Sequence, residues 1–200
     1  MGALSDVAFS PAVRAIQEAR GSREAFARRE RRGGWPSEIT PDLAAFIAAQ
    51  RSFYLATASA DGQPYVQHRG GPPGFLRVLD PETLGFADLS GNRQYITLGN
   101  LSENPRVQLF LMDYAQRRRV KIWGEARVVT DDPALVATLT PGGSSGRAEQ
   151  AILIHVTAWD ANCHQHIPQR FEAEDVAAAI ERRDARIAEL EAEVAQLRAR

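Results

Sequence analysis

Cysteine is almost missing from this sequence: Cys163 is the only one in 200 residues. No disulfide can form within one chain, and such a composition fits a reducing cytoplasm. Lysine is equally scarce, with Lys121 alone among 24 basic residues, and the formal net charge is only -1. An arginine bias of this kind reflects base composition rather than function, and a near-zero net charge gives no electrostatic reason to expect nucleic acid or an anionic membrane as partner. No apolar run approaches the roughly 20 residues that cross a bilayer, and the first residues show neither the basic start nor the apolar stretch of a secretory signal. No strand-helix-strand repeat is present. The glycine-rich stretch Pro141 to Arg147 lacks the Gly-Lys-Ser/Thr ending of a phosphate-binding P-loop and reads as a loop.

What is present is an ordinary globular composition, 44% hydrophobic and 24% charged, in a chain of the size of one domain with terminal extensions. Residues 11 to 32 read as a surface helix: Pro11 suits a first turn, Val13, Ile16 and Phe26 are spaced among Arg, Glu and Ala, and Gly33-Gly34 ends it. A second helix is predicted from Thr40, whose hydroxyl can cap it, with Pro41 in the first turn and Leu43, Phe46 and Ile47 on one face.

From Ser52 to Ala158 the periodicity is that of strands. Phe53 to Ser59 and Pro64 to Gly70 flank the Asp61-Gly62 turn as a hairpin. Phe75 to Leu79 and Thr83 to Asp88 form the next pair, a short helix runs from Arg93 to Leu101, and Val107 to Met112 pairs with Arg118 to Val129. Ala151 to Ala158 closes the sheet. Short strands between turn signals, with helices at the ends, indicate a closed or partly closed antiparallel barrel.

The tail from Glu172 to Arg200 changes character again. With Ile180, Ile187 and Val194 at a positions, Val176, Arg183, Leu190 and Leu197 fall at d. β-branched residues at a with Leu at d favour a two-stranded parallel coiled coil, and Arg183 is the misfit. A single amphipathic helix packing on its own barrel is the alternative.

Two segments could carry chemistry. In Ser90 to Tyr95, Asn92 can cap the following helix, whose free amides together with Arg93 would cradle a phosphate; the alternative is an ordinary capped helix with a solvated arginine. In Tyr65 to Gly71, alternation puts Tyr65, Gln67 and Arg69 on one face and Val66 and His68 on the other, and the glycine pair leaves room for a flat ligand. His68 by itself is an ordinary half-buried histidine, and Trp123 reads as a core tryptophan.

The ordered set Gln63 to Gly71, Gly85 to Asp88, Gly91 to Gln94, Asn104 to Val107 and Val120 to Ala126 resembles the pyridoxamine 5'-phosphate oxidase-like superfamily of flavin-binding split barrels, over roughly residues 40 to 170. Trp159 to Phe171 resembles a signature of an uncharacterised bacterial branch of it. The resemblance implies a mainly β (α+β) fold, an antiparallel six-stranded split β-barrel with flanking helices and a long C-terminal helix. Its parts would be an N-terminal helical extension over 1–39, the barrel over 40–171 and the heptad helix over 172–200. It implies a homodimer with flavin mononucleotide (FMN) at the subunit interface, acting as an oxidoreductase on a small molecule. By position it assigns Gln67, His68, Arg69, Gly70, Ala87, Asp88, Arg93, Gln94 and Arg119 to the cofactor, with Asn92 capping the phosphate helix. Gln67 and Gln94 stand where the true oxidase has cationic residues, so Arg69 or Arg119 would supply charge.

The oxidase's C-terminal segment for pyridoxal phosphate is replaced here by the heptad helix, so vitamin B6 oxidation is not expected. No acid or base is assigned. Cys163, His164 and His166 match no common zinc spacing, so no metal is expected. Deazaflavin (F420) or haem in place of FMN, or a non-catalytic dimeric scaffold, are the alternatives.

Overall fold

Alternating apolar side chains turn the middle of the chain into strands whose inward faces make one core. The computed structural model describes residues 4–142, 146–162 and 165–199. The strands are β1 (Ser52–Ala58), β2 (Pro64–Gly70), β3 (Arg77–Asp80), β4 (Thr83–Leu89), β5 (Arg106–Asp113), β6 (Arg118–Val129) and β7 (Ala148–Asn162), and they lie in one sheet in the order β2-β1-β5-β6-β7-β4-β3. The helices are α1 (Pro11–Ala19), α2 (Arg23–Arg31), α3 (Pro41–Ala48), α4 (Ile96–Glu103), α5 (Pro133–Leu139) and α6 (Ala173–Arg198).

The sheet has seven strands rather than six and is not closed. β3 is a four-residue strand that pairs with β4 and forms one edge, while β2 forms the other. Phe75 and Leu76, expected to open that strand, are instead buried in the core.

Three local signals act as their chemistry dictates. Thr40 Oγ1 accepts a hydrogen bond from the Leu43 amide (3.3 Å), and Leu43, Phe46 and Ile47 are buried. Gly62, at φ +91°, makes the turn from which β2 returns on β1, pairing Phe53 with Arg69 and Ala58 with Pro64. Phe53, Leu55, Leu84, Phe86, Leu109 and Ile154 then meet as the centre of the core.

The single N-terminal helix expected over 11–32 is broken in two. Gly21 takes φ +75°, and the amides of Gly21 and Ser22 bond back to Glu18 and Gln17, ending α1 before α2 begins. This segment is fixed by a row of aromatic rings, Phe26 on Phe9, Phe9 on Trp35, and Trp35 stacked on Trp123 at 4.9 Å. Buried Asp160 pairs with Arg29 and Lys121. Helix α5, which periodicity did not reveal, covers β7 through Leu139, Ala151 and Leu153.

Internal contacts divide the chain into two units, Met1–Met112 with Arg119–Cys163, and Asp113–Arg118 with His164–Arg200. The first contains the core described above. In the second, Gln169 Nε2 donates to the Ala115 carbonyl (2.8 Å), the Arg170 guanidinium lies over the Tyr114 ring, and α6 has no buried residue among those described.

Gly124 sits at the register shift between β6 and β7, where a Cβ would lie 2.4 Å from the His155 carbonyl oxygen. Main chain cannot yield as a side-chain tip can. Gly124→Ala is therefore expected to lower stability by about 1–3 kcal/mol, read as a lower urea midpoint at unchanged slope.

Candidate functional site

β2 is an edge of the open sheet, and its polar side chains reach across to β4. Tyr65, Gln67 and Arg69 are half-buried on one face of β2, while Val66 and His68 are exposed. Arg69 Nη1 donates to Asp88 Oδ1 on β4, its guanidinium lies 5.5 Å from the Phe86 ring centroid, and Gln150 Nε2 on β7 donates to Asp88 Oδ2 (2.8 Å). Asp88 and Gln150 are buried. Both carboxylate oxygens are thereby engaged, and the arginine is held with its Nε buried and without a hydrogen-bond partner.

A second polar layer supports β2 from α4. Thr97 Oγ1 donates to Gln67 Oε1 (2.7 Å), and Asn100 Nδ2 donates to Thr57 Oγ1 on β1 (2.9 Å). Thr57, Thr97 and Asn100 are all buried. These bonds fix the start of α4 against β1 and β2.

The approach to α4 differs from the sequence reading. The helix begins at Ile96, not Arg93, and Asn92 does not cap it. Instead Asn92 Oδ1 accepts from the Gln94 amide (3.2 Å), an Asx turn one step earlier. Arg93 and Tyr95 both take left-handed φ values, +59° and +53°, a conformation that costs roughly 1–2 kcal/mol for an L-residue. Tyr95 occupies the cap position and no side chain caps the helix. The first-turn amides of α4 lack intrahelical partners by geometry, and the helix dipole makes that end attractive to an anion.

These elements enclose a cavity of about 230 Å³ lined by Tyr65, Gln67, Arg69, Asp88, Asn92 and Arg93, with Gln94 and the start of α4 completing it. Six of the residues expected at a cofactor site thus meet: Gln67, Arg69, Asp88, Asn92, Arg93 and Gln94. Four do not line it. His68 points to the other face of β2, where its ring meets Tyr54 edge-on at 5.7 Å. Ala87 packs against the Val129, Leu139, Ala151 and Leu153 cluster. Gly70 ends β2, with His68 Cε1 3.1 Å from a notional Cβ. Arg119 is the second residue of β6 and pairs with Asn162 at the end of β7, about 40 Å of strand from Glu149, which borders the cavity.

Two other expectations change. The space beside Gly71 is taken by the Phe75 ring, 2.6 Å from a notional Cβ, rather than left for a ligand. Trp123 is half-buried against Trp35. Cys163 and His164 lie outside the described residues, among which no cluster of potential metal ligands occurs. Gln150, Thr97 and Asn100, the groups that hold the site, went unnoticed in the sequence because each acts on a residue at least 30 positions away.

A larger cleft of about 580 Å³ runs along Ala56, Ala58, Val107, Gln108 and Trp123. It is mainly apolar, has Arg106 and Glu125 among its lining residues and contains no helix start. Among the described residues no helix is long and apolar enough to cross a membrane.

Residues 39–163, more than half of the chain, match the family described as Pyridoxamine 5'-phosphate oxidase. The chain belongs to that family. HupZ of Group A Streptococcus shares the fold, with TM-score 0.51 and 19% identity over 66% of this chain and 99% of that one. A Lactobacillus delbrueckii protein assigned as a pyridoxamine 5'-phosphate oxidase is 22% identical, with TM-score 0.49, over 62% and 95% of the two chains. An FMN-binding protein of Syntrophomonas wolfei gives TM-score 0.49 at 10% identity over 74% and 97%. No curated protein matches the chain at a significant level.

Removing the Asp88 carboxylate would leave the half-enclosed Arg69 charge without its counter-ion and Gln150 without its acceptor. Asp88→Ala is expected to destabilise the fold by on the order of 3 kcal/mol, measured by denaturant unfolding. Asp88→Asn, which keeps the Gln150 contact, should fall between it and the parent.

Proposed function

We propose that this pyridoxamine 5'-phosphate oxidase family member binds FMN in the cavity between β2, β4 and the start of α4, and acts as a homodimeric flavin-dependent oxidoreductase on a small molecule. The observation that carries the reading is an uncapped helix start flanked by two arginines, one with an unpartnered buried N–H. A phosphate monoester suits this set: the first-turn amides and the Arg93 guanidinium supply donors and positive potential without a counter-ion of their own. Arg69 is already balanced by Asp88. Its role is to present an oriented donor, and Gln67, steadied by Thr97, offers its amide group beside it.

When bound, FMN would supply the exchange of hydride or electrons; the chain's residues bind and orient it and tune the ring by hydrogen bonds. A cavity of about 230 Å³ falls below the ~300–1,000 Å³ of typical ligand sites, so the reading requires a second copy to complete the enclosure. Arg119, remote along its own sheet and also carrying a buried unpartnered Nε, could join such a site from that second copy.

Protein purified without added cofactor is expected to show a flavin absorption spectrum that bleaches with dithionite or a reduced nicotinamide nucleotide. Deazaflavin or haem bands would replace the assignment, and bound flavin that no reductant bleaches would favour a scaffold. Arg93→Ala should weaken FMN retention about 10- to 100-fold, the equivalent of a lost charge-assisted hydrogen bond, with the thermal midpoint of the flavin-free protein unchanged. Undiminished occupancy in that variant would remove the phosphate cradle.

A further inference from the structure

We infer that α6 is a self-association element that pairs in parallel and in register with α6 of a second copy of this chain. Its 26 residues extend about 39 Å at 1.5 Å per residue. Along them Val176, Ile180, Ile187, Leu190, Val194 and Leu197 repeat at a and d positions, each between 43% and 60% exposed. Exposed single apolar residues are ordinary, but an a/d seam over three heptads, interrupted only by Arg183, requires another surface to cover it.

Charge decides the occupant and its direction. In the parallel arrangement a g residue faces the e residue of the next heptad on the partner helix. Arg186 then meets Glu191 and Glu193 meets Arg198, two attractive flank pairs with no repulsive flank pair, and the one like-charge contact is Arg183 facing Arg183 of the second copy at d. In the antiparallel arrangement that brings Ile187 against Leu190, Arg186 meets Glu193 favourably, but Asp184 meets Glu191, a like-charge contact. Ile and Val at a with Leu at d select two strands.

Arg183 at d is the weak layer. Its guanidinium reaches Asp184 at the adjoining e position of its own helix (3.4 Å), which draws the charge out of the seam toward the flank. In register the two Arg183 side chains face each other and lower affinity, each turned to the flank by its own Asp184, whereas a shifted register would set Arg183 against an apolar residue of the seam. The element is therefore a short, register-specific clasp. It is independent of the flavin reading, since the two rest on separate residues.

The test uses the full-length chain with Cys163→Ser, so that an introduced cysteine is the only thiol. Leu190→Cys and Leu197→Cys, both at d, should each form a disulfide-linked dimer under mild oxidation at low micromolar protein, at least tenfold faster than Ala185→Cys on the outer face. α6 packed on its own chain or a heterologous partner would each leave Leu190→Cys no faster than Ala185→Cys, and an antiparallel pair, which sets Leu197 against Ile180 and the two Leu197 positions roughly 25 Å apart, would leave Leu197→Cys no faster; either result overturns the inference. As a second measurement, Ile187→Asp should lower the cross-linking rate of Leu190→Cys by at least tenfold while the thermal midpoint falls less than 2 °C; an unchanged rate would also overturn it. Flavin content, read separately, leaves both outcomes unaffected.

Discussion

The seam between β2 and β4 is the constraint on which the site depends. Seven strands curl around a core centred on Phe53, Phe86 and Leu109, yet the edges are β2 and β3 and no ladder joins them. Side chains hold what backbone does not: Arg69 crosses from β2 to Asp88 on β4, and Gln150 fixes Asp88 from β7. An ion pair in this position is a poor substitute for hydrophobic packing in stability alone, because desolvation consumes much of the attraction. Its consequence is geometric, since it keeps a polar gap open at a defined width in a sheet whose other contacts are apolar.

The same economy bears on how an almost neutral protein would present the proposed anion site. With a formal net charge of -1 there is no global field to attract a phosphate, and one of the two arginines at the cavity is matched by Asp88. The remaining attraction comes from Arg93 and from the partial charge at the start of α4, both short-ranged. Selectivity then rests on donor geometry more than on charge, which is why the groups that steady α4, Thr97 to Gln67 and Asn100 to Thr57, matter as much as the arginines.

Much of this was legible in the sequence, and the reason varies by element. Thr40-Pro41, Asp61-Gly62 and the alternation in β2 are local instructions, each satisfied by neighbours a few residues away, and the structure follows them. The helical run of α6 was readable for the same reason. What escaped was set by distant contacts or by unusual backbone. Gly21 divides one amphipathic run into two helices through a left-handed turn that periodicity does not register. β3 is shortened because Phe75 and Leu76 are claimed by the core. Of the ten positions suggested for a cofactor, those on the inner face of β2 and before α4 converged. His68 and Ala87 did not, because strand alternation sends each to the opposite face from its neighbours.

The start of α4 shows how a familiar motif misleads about local detail. Gly-Asn-Arg-Gln before a helix reads as Asn at the cap and Arg in the first turn, the arrangement of lowest local energy. The chain instead places two non-glycine residues, Arg93 and Tyr95, in left-handed conformation, at about 1–2 kcal/mol each, and leaves the helix uncapped. An Asn cap would satisfy one amide and so compete with any anion for it. Displacing Asn92 into an Asx turn with Gln94 removes that competitor and sets Arg93 beside the vacant amides. The strain is therefore intelligible as the local counterpart of ligand affinity: conformational energy is held in a segment outside the core, where the polar contacts of α4 keep it from relaxing, and an anion seated on the helix start would offset it.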